Sequence, residues 1–184
     1  MDYKKINAQD AVLLIVHANN DELRGRTILQ KLAYFWTLSI SPIINVSFES
    51  HYYGPYSAEI RHALDITVAK SLMDESIRSE ETYNRYCYKI TEDSKDLVRT
   101  IAEEYKDEFK QISHIIATCK EFECLQYKEL SHAVKAYYLY DKMAEKEKTK
   151  SAEVMVGKAR SFGWSVEQKK IQNGIKLLEK LELI

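Results

Sequence analysis

Glycine and proline are scarce, five and two among 184 residues. These residues make the sharp turns that many-stranded sandwiches and barrels consume, so their scarcity favours long helices. Cysteine is sparse as well. Cys87, Cys119 and Cys124 form an odd set without the dense, even spacing of a secreted disulfide framework, which points to a reducing compartment. No apolar run approaches the roughly 20 residues needed to cross a bilayer. The run from Ala11 to Val16 is too short for a span, and no small-residue cleavage site follows it. The expectation is a cytoplasmic protein with no membrane partner.

An excess of either charge is also lacking. Lys and Arg number 27 against 28 Asp and Glu, a net charge of -1. The first 95 residues carry 11 basic and 13 acidic side chains, the remainder 16 and 15. Neither part is the basic body of a strong nucleic-acid binder. Catalytic signatures are missing too: there is no phosphate-cradling Gly loop, no G-x-S-x-G elbow and no H-E-x-x-H helix. No Arg is followed by His four to six residues later, the usual mark of a helical ribonuclease. We therefore expect neither an enzyme nor a cofactor. The best-spaced metal candidates are His114, Cys119, Cys124 and His132. Cys119-x4-Cys124 is within zinc-ligand range. Residues 114 and 119, however, lie about 140° apart around a regular helix, and one ion cannot take both without a break. Cys119 reads as a buried apolar residue, and no metal is expected.

What the chain has in abundance is helical periodicity. Asn7 is a good N-cap for a helix to Asn19 that is apolar nearly all round. Thr27-Ile-Leu-Gln30 has capping-box form and predicts a second helix carrying Leu29, Leu32, Ala33 and Trp36. Ser41-Pro42 ends it, and Ile43 to Tyr53 reads as a short strand or an extended connection. Gly54-Pro55 is a turn, and Ser57 caps a third helix with Ile60, Leu64, Val68 and Leu72 along its core stripe. A hairpin follows, with its tip at residues 78–82 and its second strand from Tyr83 to Ile90. Thr91 then caps one long helix to Phe122, on the order of 45 Å if unbroken. Another helix runs from Tyr127 to about Lys146, and the charged stretch from Lys142 to Lys150 is the candidate mobile connection. A closing helical hairpin occupies Ser151 to Ile184, broken at Gly163, with a second capping box at Ser165-Val-Glu-Gln168. The expected fold is mainly α: a winged-helix-like domain of three helices and a β-hairpin wing over residues 1–95, and a helical extension over residues 96–184.

Two segments are more specific than periodicity requires: Gly25-Arg-Thr-Ile-Leu-Gln-Lys-Leu-Ala-Tyr-Phe35 and His51-Tyr-Tyr-Gly-Pro-Tyr-Ser57. With Tyr86-Cys-Tyr-Lys-Ile-Thr91, they resemble the YwgA-like proteins and, more distantly, the Panacea (SocA-like antitoxin) family. Both have an L-Q-K-L-[YF]-F helix followed by a Y-G-P turn that opens the next helix. The resemblance spans roughly residues 8–95. It departs at Ser71 and Ser94, where the family usually has Gly; both positions are turns. It implies a helical, winged-helix-like fold without known catalysis and, through the antitoxins, binding of a protein such as a toxin or a protease substrate.

Two functional readings follow. As a protein-binding adaptor, the chain would use exposed tyrosines (Tyr52, Tyr53, Tyr56, Tyr137 and Tyr138) and the apolar stripe of the last helix (Ile171 and Ile175). The plain alternative is that these five, like the rest of the chain's 13 tyrosines, are half-buried, with hydroxyls reaching water. As a DNA-binding regulator, it would place the third helix in the major groove and use Arg26, Lys31, Arg61, His62, Arg85 and Lys89. Glu59, Asp65, Glu80 and Glu81 oppose that reading, because each acid near phosphate costs affinity. A homodimer would partly offset them. Charge favours the adaptor.

Overall fold

Asn7 opens the first helix by accepting a hydrogen bond from the Asp10 N–H at 2.9 Å, which satisfies a donor that every helix start leaves unpaired. In the computed structural model, which describes residues 4–40, 43–79, 84–122 and 127–184, helix α1 (Ala8–Ala18) is buried continuously from Ala11 to Val16. It is the central rod of the molecule. Asn20 and Asp21 then take positive φ, 63° and 61°, a region Asn and Asp tolerate better than other side chains. That reversal feeds strand β1 (Glu22–Arg24). Helix α2 (Arg26–Ile40), helix α3 (Ala58–Ala69), strand β2 (Met73–Ser79) and strand β3 (Asn84–Ile90) follow.

The sheet is antiparallel, with β3 between β1 and β2; Tyr88 faces Leu23 on one side and Glu75 on the other. Leu23, Met73, Tyr88 and Ile90 are buried, so the sheet closes one end of the core. Strand β1 has no counterpart in the sequence reading, since three residues are too few for alternation to register. The expected hairpin strands pair; Arg78 and Ser79, expected in the tip, belong to β2, and residues 80–83 lie outside the described residues.

The helix expected from Thr91 to Phe122 is divided. A turn of 3-10 helix (Glu92–Ser94) leads into α4 (Lys95–Glu104), and α5 (Lys106–Glu121) begins after Tyr105, whose ψ of 43° is not helical. Ile101, Tyr105 and Phe109 keep the four-residue spacing across the break, so periodicity conceals it. The break lets both parts pack: α4 lays Val98, Ile101 and Ala102 toward α1, and α5 lays Ile112, Ile115, Ile116 and Cys119 against α1 and α2. A hydrogen bond from the Lys4 amide to the buried Glu108 carboxylate ties the start of the chain to α5.

Helices α6 (Tyr127–Asp141), α7 (Ala152–Ala159) and α8 (Gln168–Lys180) complete the chain. Ser151 caps α7 through the Val154 N–H, and Gly163 breaks the chain at φ 67°, as its sequence predicts. The expected box at Ser165-Val-Glu-Gln168 does not form: α8 begins at Gln168, and Glu167 makes no capping hydrogen bond. The charged connection holds a 3-10 turn at Glu145–Glu147, and Lys150 pairs with Glu179. Packing is continuous across residue 95, because α5 lies on α1 and α2, α6 on α2, and α8 on α6. Helix α8 approaches so closely that a Cβ on Gly174 would stand 2.7 Å from the Ala133 Cα. Ile171 and Ile175, expected as partner contacts on the apolar stripe of the last helix, are instead buried, 0% and 6% exposed. No described helix is long and apolar enough to cross a membrane.

Candidate binding site

The two segments that stand out in the sequence meet in space. From α2, the Gln30 amide donates to the Ser57 carbonyl at 2.9 Å and accepts from the Ser57 N–H at 2.9 Å. The adjacent Lys31 ammonium donates to the Pro55 carbonyl at 2.6 Å. Gln30 is therefore a loop clamp and not the partner of Thr27 in a capping box: α2 starts at Arg26, one residue ahead of the expected cap. Glu49 and Tyr56 exchange backbone hydrogen bonds, as do His51 and Gly54, which leaves Tyr52 and Tyr53 at the tip of a tight turn. Gly54 sits at φ 97°, a conformation that requires glycine. From the far end of the sequence, the Trp164 indole N–H donates to the His51 carbonyl at 2.9 Å. The loop thus has three anchors, and Ser57 also caps α3.

This support holds two large rings out into water. Tyr52 is 71% exposed and Tyr53 45%, their rings edge-to-face at 4.9 Å. Beneath them the chemistry is cationic. Lys31 is 2% exposed, and burial, helped by the charge of Lys135, pushes its ammonium down to a pKa of about 7. Lys135, on α6, is also buried and lowered by burial, and its ammonium lies 5.2 Å above the Trp164 ring. A Cβ added at Gly54 would meet both lysines, the Lys135 Cγ at 3.4 Å and the Lys31 Nζ at 3.6 Å. Among the described residues, no carboxylate forms an ion pair with either lysine.

Clefts open on both sides of Tyr53. One, about 290 Å³, is lined by Arg26, Gln30, Lys31, His51 and Arg61. The other, about 260 Å³, is lined by Tyr52, Ser131, His132, Lys135 and Trp164. In the second, the buried Ser131 Oγ and His132 Nδ1 have no hydrogen-bond partner among the described residues. Burial, followed by the nearby Lys170 and Lys135 charges, lowers the pKa of His132.

No protein-family model matches this chain, and no curated protein matches it significantly.

Of the remaining candidate residues, Arg26 and Arg61 line the first cleft with Lys31 and Tyr56. Tyr56 is half-buried behind the loop tip. Tyr137 packs edge-on against Tyr34, and Tyr138 against Phe162 and Trp164, so both are partly buried framework. Of the basic set, Arg26 is held by Glu75 at 2.9 Å and the Tyr88 hydroxyl at 2.6 Å, and it stacks on Tyr86. Arg61 pairs with Asp65 at 2.9 Å along α3. His62 is exposed on α3; Arg85 is half-buried and Lys89 exposed on β3. Lys31, expected at a phosphate-facing first turn, is inside the protein, where it cannot reach a duplex. Cys119 is fully buried, and Cys124 lies outside the described residues. Sequence reasoning did not single out Ser131, Lys135 or Trp164. They come within reach of the loop only through the tertiary fold, and no local spacing announces that.

Proposed function

We propose that this chain is a non-enzymatic, cytoplasmic regulatory or adaptor protein that binds a protein partner through the Tyr52–Tyr53 tip, in the manner its resemblance to the Panacea antitoxins implies. The observation that carries this reading is an exposed aromatic pair on a loop anchored at three points. Tyrosine offers large contact area at low entropic cost, and a preset loop reduces the ordering that association must otherwise overcome. A connection serving only to join α2 to α3 has no need to hold two such rings in water.

A second reading has one observation in its favour. The order α1, β1, α2, α3, β2, β3, with β3 central in the sheet, supports a winged-helix assignment and hence a DNA-binding regulator. Charge opposes it: Arg26 and Arg61 are engaged by Glu75 and Asp65, and Arg78 lies 3.9 Å from Glu22.

Purification from native cells in mild salt, read by mass spectrometry and by absorbance at 260 and 280 nm, separates the two. The expected result is a stoichiometric protein partner without nucleic acid, lost on joint Tyr52→Ser and Tyr53→Ser substitution at unchanged melting temperature. Partner binding indifferent to those substitutions overturns the assignment. Salt-sensitive duplex binding abolished by Arg61→Glu with Arg85→Glu establishes the DNA reading instead.

A further inference from the structure

The cleft between Tyr52, Tyr53 and Trp164 holds polar groups that the fold itself does not use. Ser131 and Lys135 are one turn apart on α6 and so project from the same side of the helix. Both are at least nine-tenths buried, 5% and 9% exposed. Among the described residues the Ser131 Oγ has no partner, nor does the His132 Nδ1 beside it. The Lys135 ammonium has the Trp164 ring but no anion among the described residues. Buried polar groups in folded proteins are almost always paired, and an exception calls for an explanation such as a ligand. Here two such exceptions belong to residues that line one opening together with Lys135.

We propose that this cleft is a carboxylate-binding subsite, occupied by an acidic side chain or the C-terminal carboxylate of the protein partner docked on Tyr52 and Tyr53. The proposal rests on the protein-binding reading above and specifies the partner's chemistry. A carboxylate accepts from the Lys135 ammonium, the Ser131 hydroxyl and an imidazole N–H of His132, which gives the ammonium an anion and both unpaired groups a partner. Lys31, across Gly54, adds positive potential without contact. The aromatic walls suit the peptide that carries the acid. A phosphate group fits less well: it brings close to two negative charges at neutral pH, and neither a guanidinium nor a helix N-terminus lines this cleft. Glu167, an acid close enough to act on His132, already pairs with Lys170 at 2.9 Å.

The test pans a display library of short random peptides against the full chain. Binders are resynthesised in matched forms, with Asp or Glu against Asn or Gln and a free C-terminus against its amide. The expected result is that removing one carboxylate costs about tenfold or more in affinity, the scale of a desolvated charge pair. Lys135→Met should cost the same factor, and the two changes together no more than either alone. Ser131→Ala, the milder change, should cost a smaller factor and guards against a folding defect in the first variant. Acetate should compete for the site better than inorganic phosphate. Carboxylate-dependent binding that survives Lys135→Met overturns the proposal. So does stronger competition by phosphate or by duplex DNA. Peptides that depend on Tyr52 and Tyr53 but not on a carboxylate overturn this subsite alone. A library with no Tyr52-dependent and Tyr53-dependent binder overturns the protein-binding reading as well.

Discussion

Lys31 carries a cost that depends on pH. The unfolded chain keeps its proton up to the ordinary value of 10.5, the folded chain only to about 7. Between those values the unfolded state holds more protons, so stability rises with pH; below about 7 the full cost of the buried charge is present. Lys135, lowered by burial, acts in the same direction. Tyr34 and Tyr88 act oppositely. Burial pushes both hydroxyls up, so they oppose the rise near and above their ordinary value of 10. Urea midpoints should therefore increase from about pH 7 to pH 9, and Lys31→Met should flatten the increase. In acid the variant should be neutral or more stable, by up to about 4 kcal/mol, because a buried charge is gone. At the alkaline end it should be weaker by about 1–3 kcal/mol, because the Pro55 carbonyl loses its donor. Equal slopes for both proteins would show that Lys31 is not the titrating group. The burial of this residue was not legible in the sequence, where a lysine in the first turns of a helix reads as solvated. Only the folded loop reveals a backbone carbonyl placed to receive it.

The elements were legible wherever a local signal was long enough. Asn7, Ser57 and Gly163 mark their boundaries by chemistry that acts within a few residues. The break at Tyr105 was hidden because the apolar spacing runs through it, and β1 because its pairing with β3 is made by the fold. The loop and α2 were each conspicuous in the sequence, but their mutual clamp was not. Gln30→Ala should leave the buried Ser57 N–H unpaired, while the Ser57 carbonyl keeps the Arg61 N–H, and cost about 1–3 kcal/mol. It should also make the chain more readily cut by chymotrypsin after Tyr52 or Tyr53, which a protease time course would register. Cutting at the wild-type rate would mean that Trp164 and Lys31 suffice to hold the loop. At the α6–α8 contact, Gly174→Ala gains up to about 1 kcal/mol of helix propensity. It also drives a methyl against the Ala133 backbone, which cannot step aside as a flexible side chain would. Overpacking of this kind costs about 1–3 kcal/mol. The net expectation is a melting temperature lower by a few degrees in a scanning calorimeter, at roughly 2–4 °C per kcal/mol for a chain of this size.

At the scale of the whole molecule, the helices after residue 95 cover faces of α1 and α2 that are apolar in the sequence. A fragment ending at residue 95 should expose the apolar surface of α1 and α2 that those helices cover, bind a hydrophobic dye and lose its near-ultraviolet dichroism. A fragment with native dichroism and no dye binding would show that the first 95 residues fold alone. The mainly helical character of the chain was legible from composition, because scarce glycine and proline and continuous helical stripes leave little else. The binding site was legible by half: the loop through its unusual sequence, and of the α6 residues only His132, read there as a metal candidate. Trp164, between α7 and α8, ties the loop to the last third of the chain. The protein has two tryptophans, and the other, Trp36, is sealed in the core at 0% exposure. Indole emission responds to charge and solvent near the ring, and only Trp164 has an ammonium above it and a cleft beside it. With Trp36→Phe the molecule becomes a single-fluorophore sensor, whose colour and intensity report events at the loop without any added label.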